Sequence, residues 1–143
     1  MSKTKNEKMR VKPQEFTHPD LTNAIAKLCN DNGPENAAEL SSLIRKMISK
    51  DTEILYTARQ TEDGKTTACT VTLNDGVFLT AFSEAKYVGK EPGIIVLVAP
   101  LGKLLESVCA ENGPKGIVFN PFSKECHCAL TKDLIGKIIR AEI

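Results

Sequence analysis

The chain of 143 residues reads as a single α+β domain in which helices cover a mixed β-sheet. Three observations predict this class. Apolar residues recur at helical spacing in Leu21–Leu28, Leu40–Ile48, Leu101–Cys109 and Leu134–Ile139. From Thr52 to Phe82 the period changes to two, and turn residues punctuate it. Gly93 to Phe122, GIIVLVAPLGKLLESVCAENGPKGIVFNPF, then reads strand, helix, strand with tight links.

The first helix starts at Thr17-His18-Pro19-Asp20. Thr17 suits a cap, Asp20 answers it three residues on, and Pro19 fits the first turn. Leu21, Ala24, Ile25 and Leu28 share its buried face, and Asn32-Gly33-Pro34 ends it. His18 has no partner spacing around it and reads as a surface residue. The second helix presents Leu40, Leu43, Ile44, Met47 and Ile48.

Three strands follow. Glu53–Arg59 is rich in Ile, Leu, Tyr and Thr, and Glu62-Asp63-Gly64-Lys65 turns it back on itself. Thr66–Leu73 alternates, with Thr67, Cys69, Val71 and Leu73 on one side. Asn74-Asp75-Gly76 is a second turn and Val77–Phe82 the third strand, completing an antiparallel meander. Ser83 to Lys90 predicts one or two helical turns with Ser83 as cap.

In the strand–helix–strand unit, Ile94–Val98 is an unbroken apolar run, as in a strand buried on both faces. Pro100 suits the first helical turn, and Leu101, Leu104, Leu105, Val108 and Cys109 form one stripe. Gly116–Phe119 is the second strand, expected parallel to the first through a right-handed crossover. Glu125–Leu130 is a short final strand. Thr131 caps a closing helix with Asp133 in its first turn, and Leu134, Ile135, Ile138 and Ile139 are its buried side. Leu21–Pro34 and Leu101–Pro114 both end in Cys-x-x-Asn-Gly-Pro, which shared helix-ending chemistry explains, so Cys29 and Cys109 read as small core-facing residues.

Composition narrows the function classes. Hydrophobic content of 41%, charged content of 26% and a formal net charge of +1 describe an ordinary soluble domain without a field for nucleic acid. The apolar runs fall short of the roughly 18 residues of a membrane helix. Residues 1–17 read as a flexible basic leader carrying Lys3, Lys5, Lys8, Arg10 and Lys12, with neither the apolar region of a secretory signal nor interleaved aromatics for RNA or lipid. Residues 18–143 are the single domain. Five irregularly spaced cysteines read as reduced thiols, and a cytoplasmic location is expected.

Two segments carry a resemblance. Asp75-Gly76-Val77-Phe78-Leu79-Thr80-Ala81-Phe82-Ser83-Glu84 resembles the L-P-x-F-T/S segment of the SseB amino-terminal-domain family, with Thr80 where the family has proline. Gly116-Ile117-Val118-Phe119-Asn120-Pro121 is similar to that family's G-[IL]-V-[IL]-N-P strand ending. The likeness runs from about Leu21 to the carboxyl end. It implies a small cytosolic α+β domain, common in bacteria, without an established catalytic centre and with an accessory or interaction role.

The residues themselves offer few routes to chemistry. In Cys126-His127-Cys128 the two thiols of a strand project to one side and His127 to the other, so the three do not converge on a zinc ion or form a nucleophile–base pair. A thiol-dependent enzyme or a sulfur-transfer or redox accessory using Cys126 or Cys128 is the alternative reading. Glu62, Asp63, Asp75 and Glu91 sit in turns that explain them. Gly113-Pro114-Lys115-Gly116 precedes a strand and has a proline where a phosphate loop needs an N–H. No catalytic residue, cofactor or metal is assigned. The leading expectation is a non-enzymatic domain that binds a protein partner, with no nucleic acid and no membrane. Residues beyond the ends of parallel strands line ligand crevices, which nominates Pro100, Asn120, Pro121 and Phe122.

Overall fold

A computed structural model of the chain describes residues 16–73, 76–89 and 92–140. The basic leader, the Asn74-Asp75 turn and Glu91 lie outside the described residues, apart from Phe16 and Thr17. The fold is α+β, with helices α1 (Pro19–Asn30), α2 (Pro34–Ser49), α3 (Leu101–Cys109) and α4 (Lys132–Ile139). Its strands are β1 (Glu53–Gln60), β2 (Thr66–Ala68), β3 (Thr70–Leu73), β4 (Gly76–Ala81), β5 (Ile94–Pro100), β6 (Gly116–Phe119) and β7 (Cys128–Thr131). Among these residues no helix is long and apolar enough to cross a membrane.

The strands form two sheets, ordered β2-β1-β5 and β3-β4-β6-β7. The expected middle strand of the meander is bent at Cys69, so its first half pairs with β1 and its second with β4. Two hydrogen bonds hold the bend. The Cys69 N–H donates to the Thr57 carbonyl at 2.8 Å, and the Thr80 hydroxyl donates to the Cys69 carbonyl at 3.3 Å. A bridge between Leu55 and Phe82 ties the sheets together. Thr80 supplies the hydroxyl that the bend uses.

The parallel pair differs from the expected one. β5 and β6 lie in different sheets, and it is β4 that runs parallel to β6, from Phe78 opposite Gly116 to Ala81 opposite Phe119. β5 pairs only with β1 among the described strands, antiparallel, and so stands at a sheet edge. Only Leu97 of its apolar run is buried, because an edge strand lacks the second neighbour that would cover it. β6 takes the central place, with Gly116–Phe119 buried throughout. A Cβ on Gly116 would collide with the Leu130 carbonyl oxygen and come within 2.6 Å of Phe78 Cε2. Glycine is what lets β6 lie this close between β4 and β7.

The helices pack on one another and on β5, β6 and β7. Leu79, Ala81, Ile117, Phe119, Cys128 and Leu130 face them, joined by Leu21, Ile25, Leu40, Ile44, Leu101, Leu105, Ile135 and Ile138. Pro19 opens α1 as expected, and Pro34 opens α2. The Thr131 hydroxyl accepts the Leu134 N–H, the predicted cap of α4. Other expectations fail locally. Thr17 is not the cap of α1; His18 occupies that position and no side chain caps the helix. His18 instead anchors it, donating its N–H to the Ser83 carbonyl at 2.9 Å and Nε2–H to the Glu53 carbonyl at 2.7 Å. Ser83 does not cap the following 3-10 turn (Ala85–Tyr87), whose N-cap is Glu84. Cys109 is exposed, and Leu134 and Ile139 are 36% and 45% exposed, because helices this short bury a narrower stripe than the spacing allows.

Candidate functional site

On the face of the sheets away from the helices, the bend at Cys69 opens a cleft of about 490 Å³. Thr57, Thr67, Cys69, Thr70 and Thr80 supply much of its wall, and Phe122 stands at its rim. The exposed Thr67 and Thr70 each carry a methyl group and a hydroxyl, while Thr57 and Thr80 are buried at its floor.

Phe122 is 57% exposed, yet it is held. Its ring stacks on buried Phe82 with centroids 6.2 Å apart and planes 28° from parallel. Its other support is Gly89, where a Cβ would come within 3.1 Å of Phe122 Cε2. An aromatic ring fixed by neighbours and open on its remaining surface loses little entropy when a partner covers it.

The loop carrying Phe122 is fastened by Asn120, which is wholly buried and has φ +52°. Its N–H donates to the Ala81 carbonyl at 2.8 Å. Its Oδ1 accepts the Ser83 N–H at 2.9 Å, and its Nδ2 donates to the Ser83 hydroxyl at 3.0 Å and to Cys126 Sγ at 3.6 Å. Proton counting orients the rest. The Thr22 hydroxyl donates to Glu84 Oε2 at 2.6 Å, so the Ser83 hydroxyl must donate to Thr22, 2.7 Å away. The Cys126 thiol donates to the Thr22 carbonyl at 3.4 Å. A one-directional chain of donors thus runs from Asn120 through Ser83 and Thr22 to a carboxylate. The Tyr87 hydroxyl beside it is pushed up to about 12, first by burial and then by its hydrogen bond to Cys126.

Of the residues nominated from sequence, Phe122 alone lines the cleft. Asn120 is consumed by its hydrogen bonds, Pro121 is half-buried in the loop, and Pro100 ends β5 in the other sheet. Cys126 and Cys128 are 4% and 8% exposed, and burial pushes the Cys128 thiol up to about 11. His127 is exposed, but the final strand begins at Cys128 and not at the expected Glu125, so strand alternation does not place Cys126 and His127; they lie in the preceding loop, where His127 Nδ1 is 3.6 Å from Cys29 Sγ. Among the described residues no group of three or more His, Cys, Asp or Glu side chains is placed to hold a metal. Reading the sequence missed the pairs Thr22–Ser83, Ser83–Asn120 and Cys29–His127, which are 61, 37 and 98 residues apart and leave no local signal.

Fold and cleft together define a small α+β domain with an open cleft on the face its helices leave free. No family model, curated protein or solved structure matches the chain.

Proposed function

We propose that the chain is a non-enzymatic, SseB-like accessory domain of the bacterial cytoplasm that binds an extended segment of a partner protein in the cleft beside Phe122. The observation that carries this reading is Phe122 itself, clamped against Phe82 and Gly89 and exposed over its remaining surface. An apolar side chain of the partner would cover the ring, and the threonine wall would meet the polar groups of its backbone. The thiol-dependent alternative has less support, because Cys126 and Cys128 are both buried. Photo-crosslinking tests the proposal. A photoreactive phenylalanine analogue at position 122 should give a discrete protein adduct in native cells, one that the same analogue at exposed Lys103 does not give. Indistinguishable adduct patterns from the two positions would sink it.

A further inference from the structure

We propose that the chain pairs with a second copy of itself through the outer edge of β5, as an antiparallel two-fold dimer centred on Val96. The phase of the ladder fixes which backbone groups that edge offers. The Leu101 N–H donates to the Thr52 carbonyl at 2.8 Å, and the register continues unbroken from Glu53 opposite Pro100 to Arg59 opposite Ile94. Antiparallel hydrogen-bonded pairs recur at every second residue, so Ile95, Leu97 and Ala99 direct their N–H and C=O groups to β1. On the far side of β1 the Leu55 and Thr57 carbonyls accept from Phe82 and Cys69, the same phase seen from its other edge. Ile94, Val96 and Val98 therefore point their N–H and C=O groups outward, where no described residue meets them.

The other edge strands β2, β3 and β7 have only three or four residues. β5 has seven, all apolar, without a charge or a bulge to discourage pairing. What fits this edge is its own copy. The outward positions run Pro92, Ile94, Val96, Val98 and Pro100, bounded at both ends by a residue without an N–H. Turned about Val96, the row sets Ile94 against Val98 of the second copy, Val96 against Val96, and Pro92 against Pro100. Each Ile94–Val98 and Val96–Val96 pair exchanges both of its hydrogen bonds, and the positions that cannot donate fall opposite each other.

The side chains agree with that register. Ile94 lines the cleft, so Ile94, Val96 and Val98 share the face away from the helices, and all three are half-buried in the single chain. In the dimer Val96 packs on its copy at the axis and Ile94 on Val98, β-branched pairs that suit a ladder. One pair of strands buries less than the roughly 1,200 Å² of a standard interface, so the dimer dissociates in about the micromolar range. The contact is the same patch on both copies and uses it up, so assembly closes at two.

Sedimentation velocity of the full chain over a concentration series tests this. The average mass should climb from that of the monomer towards twice that value and stop there. Val96→Lys or Val96→Glu alone sets like charges against each other on the axis and should weaken association at least about tenfold, whereas an equimolar mixture of the two should restore it. Circular dichroism checks that each variant folds. Amide exchange of the unmodified chain reads the register without any variant: the Ile94, Val96 and Val98 amides should slow as concentration rises, while those of Ile95, Leu97 and Ala99 stay protected throughout. A monomer at every concentration, growth beyond two copies, a dimer that both charged variants leave unchanged, or exchange at Ile94, Val96 and Val98 that ignores concentration overturns the proposal.

Discussion

Asn120 and Ser83 are joined twice, the Ser83 N–H to Oδ1 at 2.9 Å and Nδ2 to the Ser83 hydroxyl at 3.0 Å. This double bond of side chain to chain spans the carboxyl ends of the parallel strands β4 and β6 and sets where the Phe122 loop begins. Asn120→Ala should cost about 3 kcal/mol, since it strands a buried N–H and puts a Cβ-bearing residue without side-chain hydrogen bonds at positive φ. Asn120→Gly relieves the backbone strain and should cost about 1 kcal/mol less. Urea unfolding of the two variants measures both; equal losses would show that backbone conformation contributes nothing.

Gly116→Ala should destabilise by about 3 kcal/mol or prevent folding, because the added methyl meets the Leu130 carbonyl and the Phe78 ring together. The Leu130 side of the clash is backbone, which cannot swing away. A midpoint in urea equal to that of the unmodified protein would contradict this packing.

Thr80→Val keeps the shape and removes the hydroxyl that meets the Cys69 carbonyl. The expected loss is about 1 kcal/mol, with faster amide exchange near Cys69 as the bend loosens. Unchanged exchange at Cys69 would show that the Cys69–Thr57 hydrogen bond holds the bend alone.

Phe122→Ala separates binding from stability. The ring is more than half exposed, so unfolding free energy should fall by no more than about 1 kcal/mol, while adduct formation from a second cleft position such as Thr67 should be lost.

Cys128 predicts a loss of stability in alkali. Burial raises its folded-state pKa from 9.0 to about 11, so the native state holds a proton that the unfolded chain releases first. The contribution is complete below pH 9.0 and disappears as pH rises towards about 11, an effect on the order of 2 kcal/mol. Cys128→Ala should flatten that part of the stability curve, as measured by urea unfolding at stepped pH.

What could be read without coordinates was whatever repeats locally. Leu21, Ile25, Leu40, Ile44, Leu101 and Leu105 announced their helices through spacing alone, and all six are buried. Asp63-Gly64 announced the first hairpin, and Gly64 has the positive φ of +84° that such a turn requires. Thr131 announced its cap. Each of these is settled by residues within a few positions of one another.

Burial of β5 and β6 was not legible, because an apolar run looks the same at an edge as in the middle of a sheet, and only the pairing of β4 with β6 tells them apart. His18 had no sequence neighbour to explain it, and its partners Glu53 and Ser83 arrive from other elements. Of the nominated crevice, Phe122 reaches the cleft while Asn120 is turned inward by a network that no spacing announces.

The sequence by itself determined the α+β class, the four helices of the described residues and the turn chemistry, since backbone sterics and hydrophobic period act over short range. Only the tertiary structure decided which strands are neighbours, where the cleft opens, and that Cys29 meets His127. Those outcomes depend on contacts between distant segments, and the free energy that selects them exists only once the core has closed.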